Sequence, residues 1–526
     1  MTGTLSPQAE YAEYSNAARW TIMAALMLGA LMQVIDTSIV NVALPQMMGN
    51  LGATMDQIGW VSTGYIISCV IVLPLTGWLS STFGRKRYLT TSILLFTLAS
   101  FFCGTARTLN ALVFFRVIQG IGGAALVSTA QATMMEIFPP QQLGMVQAIY
   151  GIGIMVGPTV GPTLGGWITD NYSWPWIFFI NLPIGIAASI LAFTFVHDSK
   201  YARVKASVDF VGISLLAAGL AALQTVLEKG NREDWFDSSF ITWLSVVAVI
   251  SLVAFVIWEL RTPHPAVNLR ILRNRSFSAG VLFVTVLGFG LFGGTFILPM
   301  YLQQLRHYTA QQSGLILLPG AIATAMMMPV AGRISSRFSA RNLVFIGAVG
   351  FIGSMFMLHT ITMSTGADDL FAPLVLRGAA MGLLYLPLTL ATLGGLVGKE
   401  IADGTGLYNL CRQIGGSFGI AIMSTYLDHR TTMHRAALVE QINSYSSIAM
   451  HRLGAIAAGL AANGSGHVQA KQQAIAVIDG IIQGQSAVMA FEDTFLAVAV
   501  VFAFSLPLLL LFKGRPAIAR KTDAAA

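Results

Sequence analysis

Charge is scarce in this sequence. Only 10% of its 526 residues are Asp, Glu, Lys or Arg, where soluble domains carry roughly 25%, so the chain has too little polar surface to stand in water. Cysteine is scarcer still: Cys69, Cys103 and Cys411 are the three, each inside an apolar run. Neither their number nor their spacing suits a disulfide framework or a metal centre, which leaves small buried hydrophobes. Four of the eight histidines (His429, His434, His451 and His467) share one segment without ligand spacing, so no metal site is expected. A membrane enzyme needs His, Ser or Glu clustered at one depth, and no such cluster exists. The net charge of +7 raises nucleic acid as a partner, but a nucleic-acid binder gathers its basic residues on one face. Here they sit in short loops between apolar runs, which excludes that partner.

What the chain does have is hydrophobic length: 55% of residues are hydrophobic and the mean hydropathy is +0.70. A helix needs about 20 apolar residues to cross roughly 30 Å of hydrocarbon. Such runs fall at 20–45, 57–80, 88–106, 109–135, 143–167, 177–196, 209–228, 238–260, 277–301, 312–334, 342–362, 371–396, 404–426 and 491–512. The first could be a cleavable signal, but its leader holds Glu10 and Glu13 instead of a basic cluster, so it reads as a retained span. Fourteen spans place both termini on one side. With that register, nineteen Lys and Arg residues fall on the side of the termini and four in short loops on the other, with four more in one long loop. The positive-inside rule then predicts cytoplasmic termini in a cell inner membrane. The remaining three arginines, Arg116, Arg377 and Arg412, lie inside spans.

The sequence repeats itself. LPLTGWLSSTF at 73–83 and MPVAGRISSRF at 328–338 end the second and tenth spans, 255 residues apart, and Arg116 and Arg377 echo each other at 261. An all-α polytopic protein follows: a cytoplasmic segment 1–19, a six-helix bundle 20–196, two additional helices 209–260, a second six-helix bundle 277–512 with a long periplasmic loop 427–490, and a cytoplasmic tail 513–526. Parallel repeats around a midplane site are an architecture of secondary transporters.

Of 23 acidic residues only Asp36 lies deep in a span, and a charge at the bilayer centre costs about 2.5–3.5 kcal/mol on insertion scales. At 1.5 Å per residue, Asp36 sits roughly 14 Å and Arg116 roughly 9–11 Å from the outer ends of their spans, depths that permit pairing. Two readings stand: Asp36 exchanges the coupling proton while Arg116 tunes it, or Asp36 hydrogen-bonds backbone at an opened turn. Asp36, Thr37, Ser38 and Asn41 form one polar segment expected to line a cavity. Asn41, Gln119, Arg377 and Arg412 are the candidates for the substrate path, though the two arginines suit a structural role equally. In the fifth span Gly153, Gly157, Gly161 and Gly165 recur every four residues, with Pro158 and Pro162 among them. This stripe permits close helix approach and a bend, pointing to gating or sealing. Met326, Met327 and Met328 with Phe289, Phe292 and Phe296 read as packing before pocket, and Trp174, Trp176, Phe178 and Phe179 as an interfacial belt. Within 427–490, helical spacing of Leu453, Ile456, Leu460 and of Ile475, Ile478, Ile482 suggests a small hairpin or a linker.

Together these residues resemble the major facilitator superfamily, and within it the fourteen-span drug:proton antiporters of the EmrB/QacA type. VIDTSIVNVALP at 34–45 is similar to the first-helix motif, RVIQGIGGA at 116–124 to the fourth-helix motif, and GPTVGPTLGG at 157–166 to the antiporter motif; WPWIFFINLPIG at 174–185 and RQIGGSFG at 412–419 also resemble subgroup signatures. The resemblance implies that Asp36 and Arg116 couple protons. GWLSSTFGRKR at 77–87 resembles the loop between helices two and three, with Gly77, Gly84 and Arg85 matching as gating residues. Ser81 stands where the family usually has an acid, so that loop's charge relay is incomplete and its gate is expected to depend on other contacts. The long loop resembles that of EmrB, which implies a periplasmic membrane-fusion adaptor of the EmrA kind and a TolC-like outer-membrane channel. The function so implied is proton-driven export of hydrophobic small molecules, with the proton gradient in place of any cofactor. Its rivals are dedicated export of an endogenous metabolite, such as a siderophore or fatty acid, and a transporter-like receptor.

Overall fold

Helices form wherever the chain is apolar, and their starts are fixed by side chains that satisfy the first unpaired amides. Ser15 caps the first helix through Ala18 N, Thr108 the fourth through Ala111 N, and Thr54 with Gln57 and Thr309 with Gln312 form capping boxes. The structure, a computed structural model, describes residues 15–198, 208–335, 337–442, 445–463 and 466–511. The leader acids, the basic residues Lys200, Arg203 and Lys205, and the tail with Lys513, Arg515, Arg520 and Lys521 lie outside the described residues.

The helices are α1 (Asn16–Leu51), α2 (Met55–Phe83), α3 (Arg85–Thr105), α4 (Leu109–Ile137), α5 (Pro140–Asn171), α6 (Trp176–Phe195), α7 (Phe210–Lys229), α8 (Ser239–Arg261), α9 (Arg275–Leu305), α10 (Ala310–Ile334), α11 (Ala340–Leu358), α12 (Ala367–Leu393), α13 (Lys399–Glu440), α14 (Ser447–Ala462) and α15 (His467–Leu511). Thirteen of them, all but α13 and α14, are long and apolar enough to cross a membrane. The expected span 404–426 lies within α13, whose inner stretch carries Asn409, Arg412 and five buried glycines from Gly404 to Gly419. A helix enclosed by others needs no apolar exterior, so α13 crosses the bundle on a composition that a lipid-facing helix could not have.

α1 to α6 pack as one bundle and α9 to α13 with α15 as the other. The two helices with the repeated ending, α2 and α10, each cross to the other half, α2 onto α13 and α10 onto α5. α7 packs on α2 and α13, and α8 packs on α7, turning Trp243 (70% exposed) and Ile250 (63%) outward. The α7–α8 connection touches both halves: Arg232 pairs with Asp56 at 2.6 Å, Asn231 donates to Asp428 at 2.6 Å, and Trp235 Nε1 donates to Thr425 at 3.0 Å. The end of the bundle where α1 begins is the near face, and the end where α1 finishes is the far face.

The segment 427–490 is largely helical, as the spacing of Leu453, Ile456 and Leu460 and of Ile475, Ile478 and Ile482 suggests. α13 runs unbroken to Glu440, α15 begins at His467, and α14 packs on α15, so the far-face projection is mostly helical. Asp493 holds Arg430 and His434 together, and Arg435 pairs with Asp479 at 2.7 Å. Apolar scanning ends where side chains turn polar, but the backbone ladder continues past that point.

Candidate functional site

In the amino-terminal half a polar core joins five helices. Arg116 on α4 is 1% exposed and Asp36 on α1 is 0% exposed. Arg116 Nη1 donates to Asp36 Oδ2 at 2.6 Å and to Gln119 Oε1 at 2.8 Å, and Nε donates to the Val61 carbonyl of α2 at 3.1 Å. Gln119 Nε2 and Asn181 Nδ2, the latter from α6, each donate to Asp36 Oδ1 at 3.0 Å. Asn181 also donates to Ser100 Oγ on α3 at 3.0 Å, and that hydroxyl donates to the Phe178 carbonyl at 2.9 Å. The Tyr65 ring lies 4.0 Å from the guanidinium carbon, a cation–π contact that shields the charge. Both carboxylate oxygens are thus satisfied and sealed from water. Deleting one member of such a pair leaves an uncompensated buried charge, a loss of roughly 3–5 kcal/mol.

Sequence spacing placed Asp36 and Arg116 at matching depth, and the structure brings them together. Gln119, a candidate for the substrate path, belongs to this network. Asn41 does not: it is exposed and accepts from Ser62 at 2.9 Å. The polar segment of α1 therefore splits, with Asp36 facing α4 and α6 and Ser38 facing α5. Asn181, Ser100 and Tyr65 escaped the sequence reading; the one signal was a lone Asn in the apolar run IFFINLPIG. The aromatic-belt expectation needs correction, since Trp174 is 5% exposed and Phe178 is fully buried with its ring 5.8 Å from Arg116, while Trp176 (52% exposed) faces outward.

The glycine stripe of α5 faces α1 beside this core. A Cβ on Gly157 would lie 2.6 Å from Val34 Cγ1, on Gly161 it would strike Ser38 Oγ, and on Gly165 it would lie 2.7 Å from Ile39 Cγ1. Another face of α5 meets α10, where Cβ atoms on Gly314 and Gly332 would strike Thr163 and the Gly144 carbonyl. α5 thus links the ion-pair helix to the other half, and it runs as one helix through Pro158 and Pro162.

The family model described as Major Facilitator Superfamily matches residues 26–420. The chain belongs to the major facilitator superfamily. It is 37% identical to the multidrug export protein EmrB of Haemophilus influenzae over 425 residues, 81% of this chain and 83% of that one. It is 32% identical to the fatty acid resistance protein FarB of Neisseria gonorrhoeae over 505 residues, 96% and 98% of the two chains. Among solved structures, the human organic anion transporter MFSD10 superposes with a TM-score of 0.59 at 13% identity, covering 93% of this chain and 99% of that one. The proton:xylose symporter XylE superposes at 0.56 with 14% identity, covering 93% and 95%. These two likenesses establish the fold, and the family is one of transporters embedded in membranes.

In this major facilitator chain the near face is closed where α2 meets α13. A Cβ on Gly77 would lie 2.9 Å from both N and Cα of Asp403, and one on Gly406 would lie 2.8 Å from the Leu73 carbonyl. Ser81 donates to the Trp78 carbonyl at 2.9 Å and stays within its own helix. Gly84 takes φ +88° beside the Asp198 carboxylate, and Arg85 pairs with Glu136 of α4. Across the middle, Asn409 of α13 donates to Gln131 of α4 at 2.8 Å, and Arg412 Nη2 donates to Asn409 Oδ1 at 3.3 Å while its Nε finds no partner among the described residues. Arg377 Nη1 donates to the Gly294 carbonyl of α9 at 3.3 Å. Met328 is buried against Gly151 of α5, whereas Met326 is 69% exposed and faces away from the bundle.

Proposed function

We propose that this transporter exports hydrophobic, toxic small molecules across a cell inner membrane in exchange for protons. The near face is then cytoplasmic, as the excess of Lys and Arg on the side of the termini suggests. Relatives named as multidrug export proteins support the class of cargo. The observation that carries the coupling mechanism is the buried Asp36–Arg116 pair joining α1 to α4. Protonating Asp36 cancels the charge that holds Arg116 and loosens a knot on which α1, α2, α4 and α6 converge. Because the carboxylate is sealed in the conformation described here, proton exchange belongs to another conformation of the cycle. Each proton moved down a potential supplies about 2.3 kcal/mol per 100 mV, enough for roughly a fifty-fold gradient of cargo. No cofactor is needed in this scheme.

The far-face projection formed by α13, α14 and α15 supports a periplasmic adaptor and, through it, an outer-membrane channel. It exposes Ile448 (76%) and Val468 (77%) beyond the spans. A relative named for fatty acid resistance that matches 96% of this chain favours, as a second reading, dedicated export of one amphipathic metabolite.

The test is drug-triggered proton release from vesicles reconstituted with the full chain and a panel of substrates. Release on addition of several unrelated drugs is expected. Silence to all of them, with an intact proton gradient, would falsify the exchange.

A further inference from the structure

The polar core of the amino-terminal half has an incomplete counterpart in the other half. Arg116 on α4 recurs as Arg377 on α12, 261 residues later, and the repeated helix ending recurs at 255. Gly294 on α9 follows Asp36 on α1 by 258 residues, between those two offsets, so it falls in the stretch of α9 that answers to the place of Asp36 in α1. In the first half the guanidinium crosses to α1 and meets a carboxylate at 2.6 Å; in the second it crosses to α9 and, among the described residues, meets only the Gly294 carbonyl at 3.3 Å. Where the Asp36 side chain stands in one half, the other has space: a Cβ on Gly294 would meet nothing within 4 Å. Among the described residues Arg377 makes no ion pair.

Depth narrows what can fill that space. Arg377 lies ten residues from the far end of α12 and Gly294 eleven from that of α9, roughly 15–16 Å along each axis, near the bilayer midplane and below the layer of lipid phosphates. The α9 sequence around Gly294, LGFGLFGGTFILP, carries no charge. A cation without a counter-charge at this depth is costly, a cost that a bound anion would offset.

We propose that Arg377 and the space beside Gly294 form a site for the anionic group of an amphipathic small molecule. The carboxylate stands where Asp36 stands in the other half, and the hydrocarbon part lies along α9. The site rests on the export reading only for the claim that the bound acid is cargo.

Equilibrium dialysis of radiolabelled decanoate and decyltrimethylammonium against the full chain in zwitterionic nanodiscs tests the site without requiring transport. Arg377→Gln is expected to weaken decanoate binding roughly ten- to a hundredfold, the range of one charge-assisted hydrogen bond, and to leave the cation unaffected. Gly294→Asp should do the same by placing a carboxylate on Arg377, with room for its Cβ, which would meet nothing within 4 Å. Equal decanoate affinity in wild type and both variants overturns the site. So does phosphatidylglycerol in the disc displacing decanoate from wild type, since a lipid phosphate would then be the occupant. Decanoate bound through Arg377 in a protein that releases no protons on drug addition would remove the export reading and leave the site standing.

Discussion

At the scale of single residues, the Asp36–Arg116 pair carries two separable burdens, and substitution can part them. Asp36→Asn keeps the shape and can still accept from Gln119, but it strands Arg116 among Val61, Gln119 and the rings of Tyr65 and Phe178. Uphill efflux is expected to vanish, and unfolding of the inserted protein should come earlier by roughly 3–5 kcal/mol. Adding Arg116→Gln removes the stranded charge, so the double variant should recover most of the stability and none of the coupling. Thermal melts of the purified proteins and efflux from vesicles check the two halves of that statement; recovered efflux in the double variant would take the pair out of the mechanism. The charged pair was legible in the sequence because an ionised group inside a span is costly and hence rare. Asn181, Ser100 and Tyr65 were not, because lone polar residues are common in spans. Which of them points at Asp36 depends on how helices far apart in sequence are rotated.

At the scale of helices, the stripe on α5 was visible as a period of four, but its partner was not. Two faces of one helix can each look smooth, and only packing reveals that this one meets α1. The consequence is a graded series. Replacing a helical glycine by alanine gains about 1 kcal/mol in backbone propensity, while overpacking a tight contact costs roughly 1–3 kcal/mol. Gly153→Ala meets Leu31 Cδ2 at 3.0 Å, the far end of a flexible side chain, and should be close to neutral. Gly161→Ala strikes Ser38 and comes within 3.1 Å of Ile39 N, and Gly165→Ala comes within 3.0 Å of the Ile39 carbonyl. Both should lower stability by up to about 2 kcal/mol net, read as earlier thermal unfolding in detergent. Equal melting of all three variants would mean that the stripe is not where α1 and α5 are held. α13 teaches the opposite lesson: the scan for apolar runs found its stretch 404–426 and the alternating charge register supported it, although the helix is not among those apolar enough to face lipid.

At the scale of the whole molecule, the internal repeat made the two-bundle plan readable, because LPLTGWLSSTF and MPVAGRISSRF end equivalent helices that each cross to the opposite half. What the repeat could not disclose is how the near face closes when Ser81 replaces the acid of the family loop. The structure answers with Asp403, whose backbone rests on Gly77. A methyl group at Gly77 cannot be absorbed by a side-chain rotation, since it meets main-chain atoms of α13 at 2.9 Å. The two helices have to part at this face, which shifts the alternating-access equilibrium toward the conformation open there. Strain of roughly 1–3 kcal/mol corresponds to about a five- to 150-fold change in the ratio of the two conformations. Spin labels at the exposed ends of α2 and α13, on Phe83 and Glu400, should therefore report longer distances in Gly77→Ala than in the parent. An unchanged distance distribution would mean that the halves are held at this face by other contacts, with the ion pair of Arg85 and Glu136 no more than a brace within one bundle.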